Sequence, residues 1–168
     1  LDATGAPSQI GQTLVGYADQ QYFGASVSIS NDGNVIAVGL PGDQLNLGRV
    51  EIFDYISAID YWVARPFIYG IQTAEWFGSD VSLSADGTRL VATAKRHNVG
   101  GKDIGAVRVY DYAANAWTQK GADIDGEVVG SGTAQEPNEI KTAKISNDGT
   151  TIALGMVEHD SLNESKVA

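Results

Sequence analysis

Cysteine is absent from the 168-residue chain, and histidine, proline and basic residues are few. The lack of cysteine excludes a disulfide framework and any thiolate-ligated metal site. Lysine and arginine together number 11 against 21 acidic residues, which gives a formal net charge of −10. Such a chain lacks the clustered cations that bind nucleic acid or an anionic membrane surface. We therefore expect no nucleic-acid partner and no membrane insertion.

Long apolar runs and helical periodicity are also missing. No segment approaches the roughly 18 apolar residues of a transmembrane helix, and residues 1–5 do not resemble a signal peptide. Apolar residues nevertheless make up 43% of the chain, so a packed core is expected. With 20 glycines to form tight turns, the composition predicts an all-β protein.

One stretch recurs and organises the rest of the chain. Residues 77–87 read FGSDVSLSADG, residues 23–33 read FGASVSISNDG, and residues 143–149 read AKISNDG. The final serines of the three copies lie 54 and 62 residues apart. A period of this size indicates stacked supersecondary units.

Each unit contains four extended segments. In the first, Val27 and Ile29 alternate with serines, which predicts a half-buried strand. An Asp-Gly turn follows and predicts a hairpin, because both residues tolerate positive φ. The second segment is apolar on both faces, as in a strand between two sheets. A third strand starts near Gly48 or Gly105, and the fourth is centred on Trp62 or Trp117.

The repeats resemble the Phe-Gly/Gly-Ala-Pro (FG-GAP) repeats of β-propellers, found in integrin α-chain heads and in many large secreted proteins. The resemblance is carried by Phe23-Gly24 and Phe77-Gly78, by Val38 to Pro41, and by Gly48-Arg49-Val50 with Gly105-Ala106-Val107. The third unit departs from it, since Glu139 and Ile140 stand in place of Phe-Gly. The resemblance implies four-stranded antiparallel blades.

On this resemblance the chain is one propeller segment, residues 1–168, of about three blades cut mid-blade. Residues 1–22 end a preceding blade, 23–76 and 77–139 are blade repeats, and 140–168 are an incomplete repeat. Propellers have about four to eight blades, so three cannot close a ring. We expect the remaining blades to come from the same longer chain, which we favour, or from a second copy that completes a six-bladed ring.

The loops between the second and third strands supply candidate ligand residues. Asp43, His97 and His159 occupy equivalent places in successive repeats, and same-rank loops gather on one face of a propeller. The candidates for a metal or sugar site are Asp43, His97, Asn98, Asp103, His159 and Asp160. A plain solvated loop is the alternative, and it is the one we favour.

Three further features bear on ligands. Trp76 is not repeated, which makes it the candidate for stacking on a sugar, whereas the recurrence of Trp62 and Trp117 predicts packing between blades. Asn163 begins an Asn-Glu-Ser N-glycosylation pattern. Each hairpin turn offers one Asp, and calcium prefers about six to eight oxygens. We therefore expect no cofactor, and we expect the turn aspartates to cap their hairpins.

No nucleophile–base arrangement and no phosphate-cradling loop appears in the sequence. On the first strands, the neighbours of Asp80 in rank are Ser26 and Thr142, so a pair of acidic residues about 5–10 Å apart is not expected there. We expect a non-enzymatic module, extracellular or on the cell surface, that serves binding of a protein or glycan, adhesion or structural display. The alternative is a carbohydrate-active enzyme or a lectin with its site at the ring centre or loop face.

Overall fold

The structure, a computed structural model, describes residues 5–6, 8–129 and 136–158, excluding the side chains of 128, 129, 136–139 and 158. These residues form an all-β fold, as predicted, with one short helical turn, α1 (Asp43–Asn46). The strands are β1 (Ser26–Ile29), β2 (Val35–Leu40), β3 (Arg49–Ile56), β4 (Tyr61–Ala64), β5 (Ile68–Tyr69), β6 (Phe77–Leu83), β7 (Arg89–Ala94), β8 (Asn98–Val99), β9 (Lys102–Asp103), β10 (Ala106–Ala113), β11 (Ala116–Gln119), β12 (Ile124–Asp125), β13 (Val128–Val129), β14 (Glu136–Ile145) and β15 (Ile152–Glu158). Within the described ranges, no helix has the length and apolar character needed to cross a bilayer.

The larger strands form three antiparallel sheets that follow one another along the chain. The first sheet has the order β1-β2-β3-β4, and β5 also pairs with β3. The second sheet repeats this pattern as β6-β7-β10-β11, with β12 on β10. The third sheet contains β13, β14 and β15, and β8 with β9 forms a separate small hairpin. Neighbouring strands of a repeat are therefore joined as a meander, as the hairpin signals predict.

The same side-chain network closes the first turn of every repeat. Ser30 Oγ donates to Asp32 Oδ1 over 2.6 Å, and the same aspartate oxygen accepts the Asn34 N–H over 3.0 Å. The Val35 N–H in turn donates to Ser30 Oγ, and Gly33 closes the turn with a φ of 75°. The turns at residues 84–89 and 146–151 contain the equivalent bonds. The aspartates cap their hairpins, in agreement with the sequence analysis.

Consecutive sheets pack face to face through their apolar residues. In the second sheet, Val81 and Leu83 of β6 are 0% and 7% exposed, since they pack against the first sheet. Ala143 of β14 is likewise buried between the second and third sheets. The equivalent residues of the first sheet, Val27 and Ile29, are 69% and 60% exposed. The first sheet therefore presents an uncovered apolar stripe on its outer side.

The third sheet differs in register from the sequence-based alignment. Ile140 pairs with Met156 just before an irregularity in β14, as Phe77 pairs with Ala94 before the irregularity in β6. Ile140 is fully buried and takes the structural place of Phe77. Strand β14 begins at Glu136, ahead of the predicted repeat boundary at residue 140.

The segment before the first sheet has no strand between residues 8 and 25. It is nevertheless bound to the outer strand β4, because Gln12 Nε2 donates to the Trp62 carbonyl over 2.9 Å and Gln12 Oε1 accepts the Trp62 N–H over 2.8 Å. Gly16 lies against the Phe23 side chain much as Gly70 lies against Phe77. The segment thus occupies the position that residues near Gly70 hold relative to the second sheet.

Candidate functional site

Two of the predicted ligand residues, Asp43 and His97, belong to buried charge clusters at the loop ends of the first two sheets. The Arg49 cluster contains Gln21, Asp43, Arg49 and Glu51. The Arg108 cluster contains Glu75, His97, Arg108 and Asp123. The clusters are related by the repeat, because Gln21 and Asp43 each lie 54 residues before their counterparts Glu75 and His97.

The Arg108 cluster is held by a bidentate ion pair. Arg108 Nη1 and Nη2 donate to the two carboxylate oxygens of Glu75 over 2.8 and 2.9 Å, and both side chains are fully buried. The Nε of Arg108 donates to Asp123 Oδ2 over 2.8 Å. His97 Nδ1 lies 2.8 Å from Glu75 Oε2, and the guanidinium stands over the Phe77 ring. The Arg108 guanidinium and the Glu75 carboxylate thus each have charged hydrogen-bond partners inside the protein.

Burial and pairing oppose each other at this ion pair. Burial alone would raise the pKa of Glu75, but the hydrogen bonds from Arg108 and His97 outweigh it and hold the pKa below its ordinary value. Burial would likewise lower the pKa of Arg108, but the bonds to Glu75 and Asp123 raise it. Burial also raises the pKa of the neighbouring Tyr110 to about 12. Glu75 and Arg108 are therefore both charged at neutral pH.

The Arg49 cluster is less completely paired. Gln21 Nε2 donates to Asp43 Oδ1 over 2.7 Å, and Arg49 Nη1 lies 3.4 Å from Asp43 Oδ2. Arg49 Nη2 lies 2.6 Å from Glu51 Oε1, but within the part of the chain that the structure describes neither oxygen of Glu51 has a partner with hydrogen-bond geometry. Burial raises the pKa of Glu51 although Arg49 is close. One guanidinium therefore serves two buried carboxyl groups.

Metal-ligand chemistry is present at the edge of the Arg108 cluster. His97, Asp123 and Asp125 each offer one ligand atom, and these atoms lie within 4.8 Å of one another. His97 Nε2 is 4.0 Å from Asp123 Oδ2. Both oxygens of Asp123, however, already accept hydrogen bonds, from Arg108 and Gln119. Both oxygens of the Asp123 carboxylate are thus already bound by Arg108 and Gln119, although a metal ion would need one of them as a ligand.

The other predicted loop residues do not join these clusters. Asn98 Nδ2 donates to Asp103 Oδ1 over 2.8 Å, and Asn98 Oδ1 accepts the Gly101 N–H, so the two predicted ligands stabilise the β8–β9 hairpin. His159, Asp160 and the glycosylation candidate Asn163 lie outside the described residues.

Trp76 and Asp43, predicted separately, line one cavity at the loop ends. The cavity has a volume of about 450 Å³, and Gln20, Tyr22 and Asn46 also line it. The Trp76 ring stacks on Tyr22 with centroids 6.1 Å apart, and Arg96 lies 5.3 Å from its centroid. The ring thus has two protein partners, while one side of the residue faces the cavity.

The residues at the centre of the two clusters were not identified from the sequence. Glu75 and Gln21 precede the two Phe-Gly pairs by two residues, and Arg108 interrupts the apolar strand Ala106–Tyr110. A charged residue within a buried strand needs a partner, because an unpaired buried charge is very costly. The position of Arg108 in a buried strand could therefore have predicted a buried ion pair. It could not have identified Glu75 as the partner.

A comparison of the chain with protein-family models and with curated protein sequences finds no match. The resemblance to FG-GAP repeats is therefore carried by the residues of this chain alone. It stays a prediction.

Proposed function

We propose that the protein is a non-enzymatic β-propeller module, extracellular or on the cell surface, that serves binding, adhesion or structural display in a larger assembly. The proposal has two parts. The sheets described above act as blades, and further sheets of the same repeat cover the exposed Val27 and Ile29 at the β1 edge of the first sheet. Support for the first part comes from the bonds that join consecutive sheets, and support for the second comes from the exposure of these two residues.

The observation that carries the proposal is a backbone bond that recurs at both junctions between sheets. The Asn31 N–H donates to the Ala85 carbonyl, and the Ala85 N–H donates to the Asn147 carbonyl, each over 2.9 Å. These residues hold the same place in three successive hairpin turns. The turns therefore continue one another in a row, as same-rank turns of neighbouring blades would.

A second recurrent bond joins the first strands of neighbouring sheets. The Leu83 N–H donates to Ser28 Oγ over 2.9 Å, and the Ile145 N–H donates to Ser82 Oγ over 3.2 Å. Each serine belongs to the first strand of the sheet before. Consecutive first strands are thus tied together, which is the arrangement that surrounds the channel of a propeller.

An arginine also reaches from each sheet to the next turn. Arg65 pairs with Asp54 and donates to the Gly87 carbonyl over 2.8 Å. Arg89 pairs with Asp111 and donates to the Gly149 carbonyl over 2.7 Å. Arg65 follows strand β4 and Arg89 begins strand β7, yet both arginines donate to the glycine carbonyl of the next hairpin turn. The contact between sheets therefore recurs although the residues that make it occupy different places in the repeat.

Asp80 takes part in the junction and is not free for catalysis. Its carboxylate accepts bonds from Thr142 Oγ1, from the Ala143 N–H over 3.0 Å and from Lys144 Nζ over 2.8 Å. These contacts join β6 to β14. The first-strand carboxylate thus has a structural role, which supports the non-enzymatic interpretation.

Imaging of particles formed by the chain tests the radial arrangement. Negative-stain or cryo-electron micrographs of associated material should show sheets arranged radially around a central channel. Linear stacks of sheets without a channel would overturn the propeller part of the proposal. The hydrogen bonds between consecutive sheets are compatible with a radial arrangement and with a linear stack.

A lectin is the second candidate, favoured by the cavity that Trp76 shares with Asp43. Aromatic edges beside carboxylate and amide groups suit the apolar faces and hydroxyls of a sugar. Glycan-array binding that is lost in Trp76→Ala and retained in the control Tyr69→Ala would support it. Equal binding by both variants, or none by the wild type, would remove the lectin candidate.

A further inference from the structure

We propose that a second cavity, against the outer face of the first sheet, binds a small organic cation of the ammonium class. The cavity lies between strands β3 and β4 and the segment 12–17, and its volume is about 370 Å³. That volume is within the range of small-molecule sites, roughly 300–1,000 Å³. The cavity and the uncovered stripe share the outer face, because Glu51 pairs with Val38 and Val38 with Val27, but the cavity lies at the β4 edge against the segment 12–17 and the stripe lies at the β1 edge. The proposal goes beyond the proposed function, because it assigns a small-molecule ligand to the β4 edge, whereas the proposed function concerns the cover of the β1 edge.

A buried carboxyl group forms the polar end of this cavity. Glu51 lines the cavity, and its side chain is only 1% exposed. Among the described residues, its Oε2 atom has no hydrogen-bond partner, and Oε1 lies 2.6 Å from Arg49 Nη2 without hydrogen-bond geometry. A buried carboxyl oxygen without a hydrogen bond costs free energy, so a donor that reaches Oε2 is strongly favoured.

The charge around Glu51 favours a ligand that carries a positive charge as well as a donor such as a hydroxyl group. Among the described residues, Arg49 is the only cation that pairs with Asp43 or Glu51. Two carboxyl groups thus share one guanidinium below the cavity. A bound cation would balance the second carboxylate, which an uncharged donor cannot do.

Five of the other eleven residues that line the cavity are aromatic. The aromatic lining residues are Tyr17, Phe23, Phe53, Tyr61 and Trp62. The faces of aromatic rings attract cations, and quaternary ammonium groups are held in this way. A buried carboxyl group beside these rings therefore suits an ammonium ligand better than an anion or a polyol.

In the second repeat, the residue equivalent to Glu51 has oppositely charged partners within the protein. Arg108 occupies the place of Glu51, since Glu51 pairs with Val38 and Arg108 with Ala92, its equivalent. There Glu75 and Asp123 satisfy the guanidinium completely. The first repeat has Gln21 in place of Glu75, an uncharged amide that bonds Asp43 instead. At this position, the first repeat therefore has a buried carboxyl group that is incompletely paired, and the second repeat has a fully paired arginine.

Calorimetric titration of the whole chain with choline tests the proposal, with its uncharged carbon isostere, dimethylbutanol, as the comparison. We expect choline to bind and dimethylbutanol to bind at least about tenfold more weakly. Glu51→Gln should weaken choline binding by a similar factor, and the exposed control Glu127→Gln should leave it unchanged. Glu51→Gln keeps the shape of the side chain and removes an incompletely paired buried charge, so we expect it to fold.

Tyr61→Leu gives a second reading if Glu51→Gln proves unstable, because Tyr61 lines the cavity and is 47% exposed. It should weaken choline binding and leave the thermal midpoint nearly unchanged. Failure of choline to bind, equal affinity for the uncharged isostere, or binding unaffected by both substitutions would overturn the proposal. Self-association that depends on Glu51 without choline binding would also overturn it, since the cation would then be a partner's side chain.

Discussion

At the scale of single residues, the Arg108–Glu75 pair is the feature on which the second sheet most depends. Both side chains are fully buried, and removal of one partner leaves the other charge without compensation. Arg108→Met should therefore lower the free energy of unfolding by about 3–5 kcal/mol in a urea titration. The double variant Glu75→Gln/Arg108→Met should recover most of that loss, because it removes both fully buried charges, while the partly exposed Asp123 keeps its bond from Gln119.

The matched control is Lys120→Met, which removes an exposed cation from Asp111. Exposed pairs contribute less than about 1 kcal/mol, so this variant should remain close to the wild type. A loss in Arg108→Met no larger than that in Lys120→Met would show that the buried pair is not a stabilising constraint.

The turn aspartates predict how stability depends on acid. The hydroxyl of Ser30 and the N–H of Asn34 lower the pKa of Asp32 to about 2, and equivalent bonds lower the pKa of Asp86 and Asp148. A carboxyl group with a lower pKa in the folded state stabilises the fold above its unfolded pKa, near about 4. That stabilisation should be lost as the pH falls from about 4 toward 2.

Urea titrations at a series of pH values check this expectation. The triple variant Asp32→Asn/Asp86→Asn/Asp148→Asn should show a shallower loss of stability over this pH range than the wild type. Parallel curves for the two proteins would mean that other carboxyl groups cause the acid sensitivity.

At the scale of the elements, the serines of the first strands join one sheet to the next. Ser82→Ala removes the acceptor of the Ile145 N–H, and Ser28→Ala removes that of the Leu83 N–H. Each substitution should cost about 1–3 kcal/mol, because a partly buried donor loses its partner. Hydrogen exchange should accelerate at the Ile145 amide in the first variant and at the Leu83 amide in the second.

Ser57→Ala is the control for this pair, since Ser57 is an exposed residue of the β3–β4 turn. It should change neither amide. If Ser82→Ala leaves exchange at Ile145 unaltered, the hydroxyl does not tie the two first strands together.

The strands that local signals specify were predicted well, and the features that depend on distant residues were not. Alternation beside Asp-Gly turns identified β1, β2, β6 and β7, because a hairpin is determined by neighbouring residues. The register of β14 depends on an irregularity that brings Ile140 to the place of Phe77. The Arg108–Glu75 pair joins residues 33 positions apart, so no local pattern reveals it.

The candidate site shows the same division. Repeat equivalence gave Asp43 and His97 matching positions in two repeats, and the interpretation favoured there was a solvated loop. The structure places both side chains in buried clusters, because Arg49 and Arg108 on the third strands attract them or their neighbours. The cavity beside Glu51 involves a segment from residues 12–17 that contains no strand, and periodicity carries no information about such a segment.

At the scale of the whole molecule, no described sheet packs on the face of the first sheet that corresponds to the buried faces of β6 and β14. Val27 and Ile29 are exposed where their equivalents Val81 and Leu83 are buried. An uncovered stripe of this kind at the edge of a sheet favours association with another sheet. The 168-residue chain should therefore associate through this stripe, and Val27→Lys/Ile29→Lys should prevent it.

Sedimentation of the chain across a concentration series tests most directly whether its sheets require further sheets. We expect the wild type to associate and Val27→Lys/Ile29→Lys to sediment as a monomer. The control Ser57→Lys/Ile59→Lys adds the same charge at an exposed turn and should associate like the wild type. A wild type that sediments as a compact, stable monomer at every concentration would contradict the proposed role.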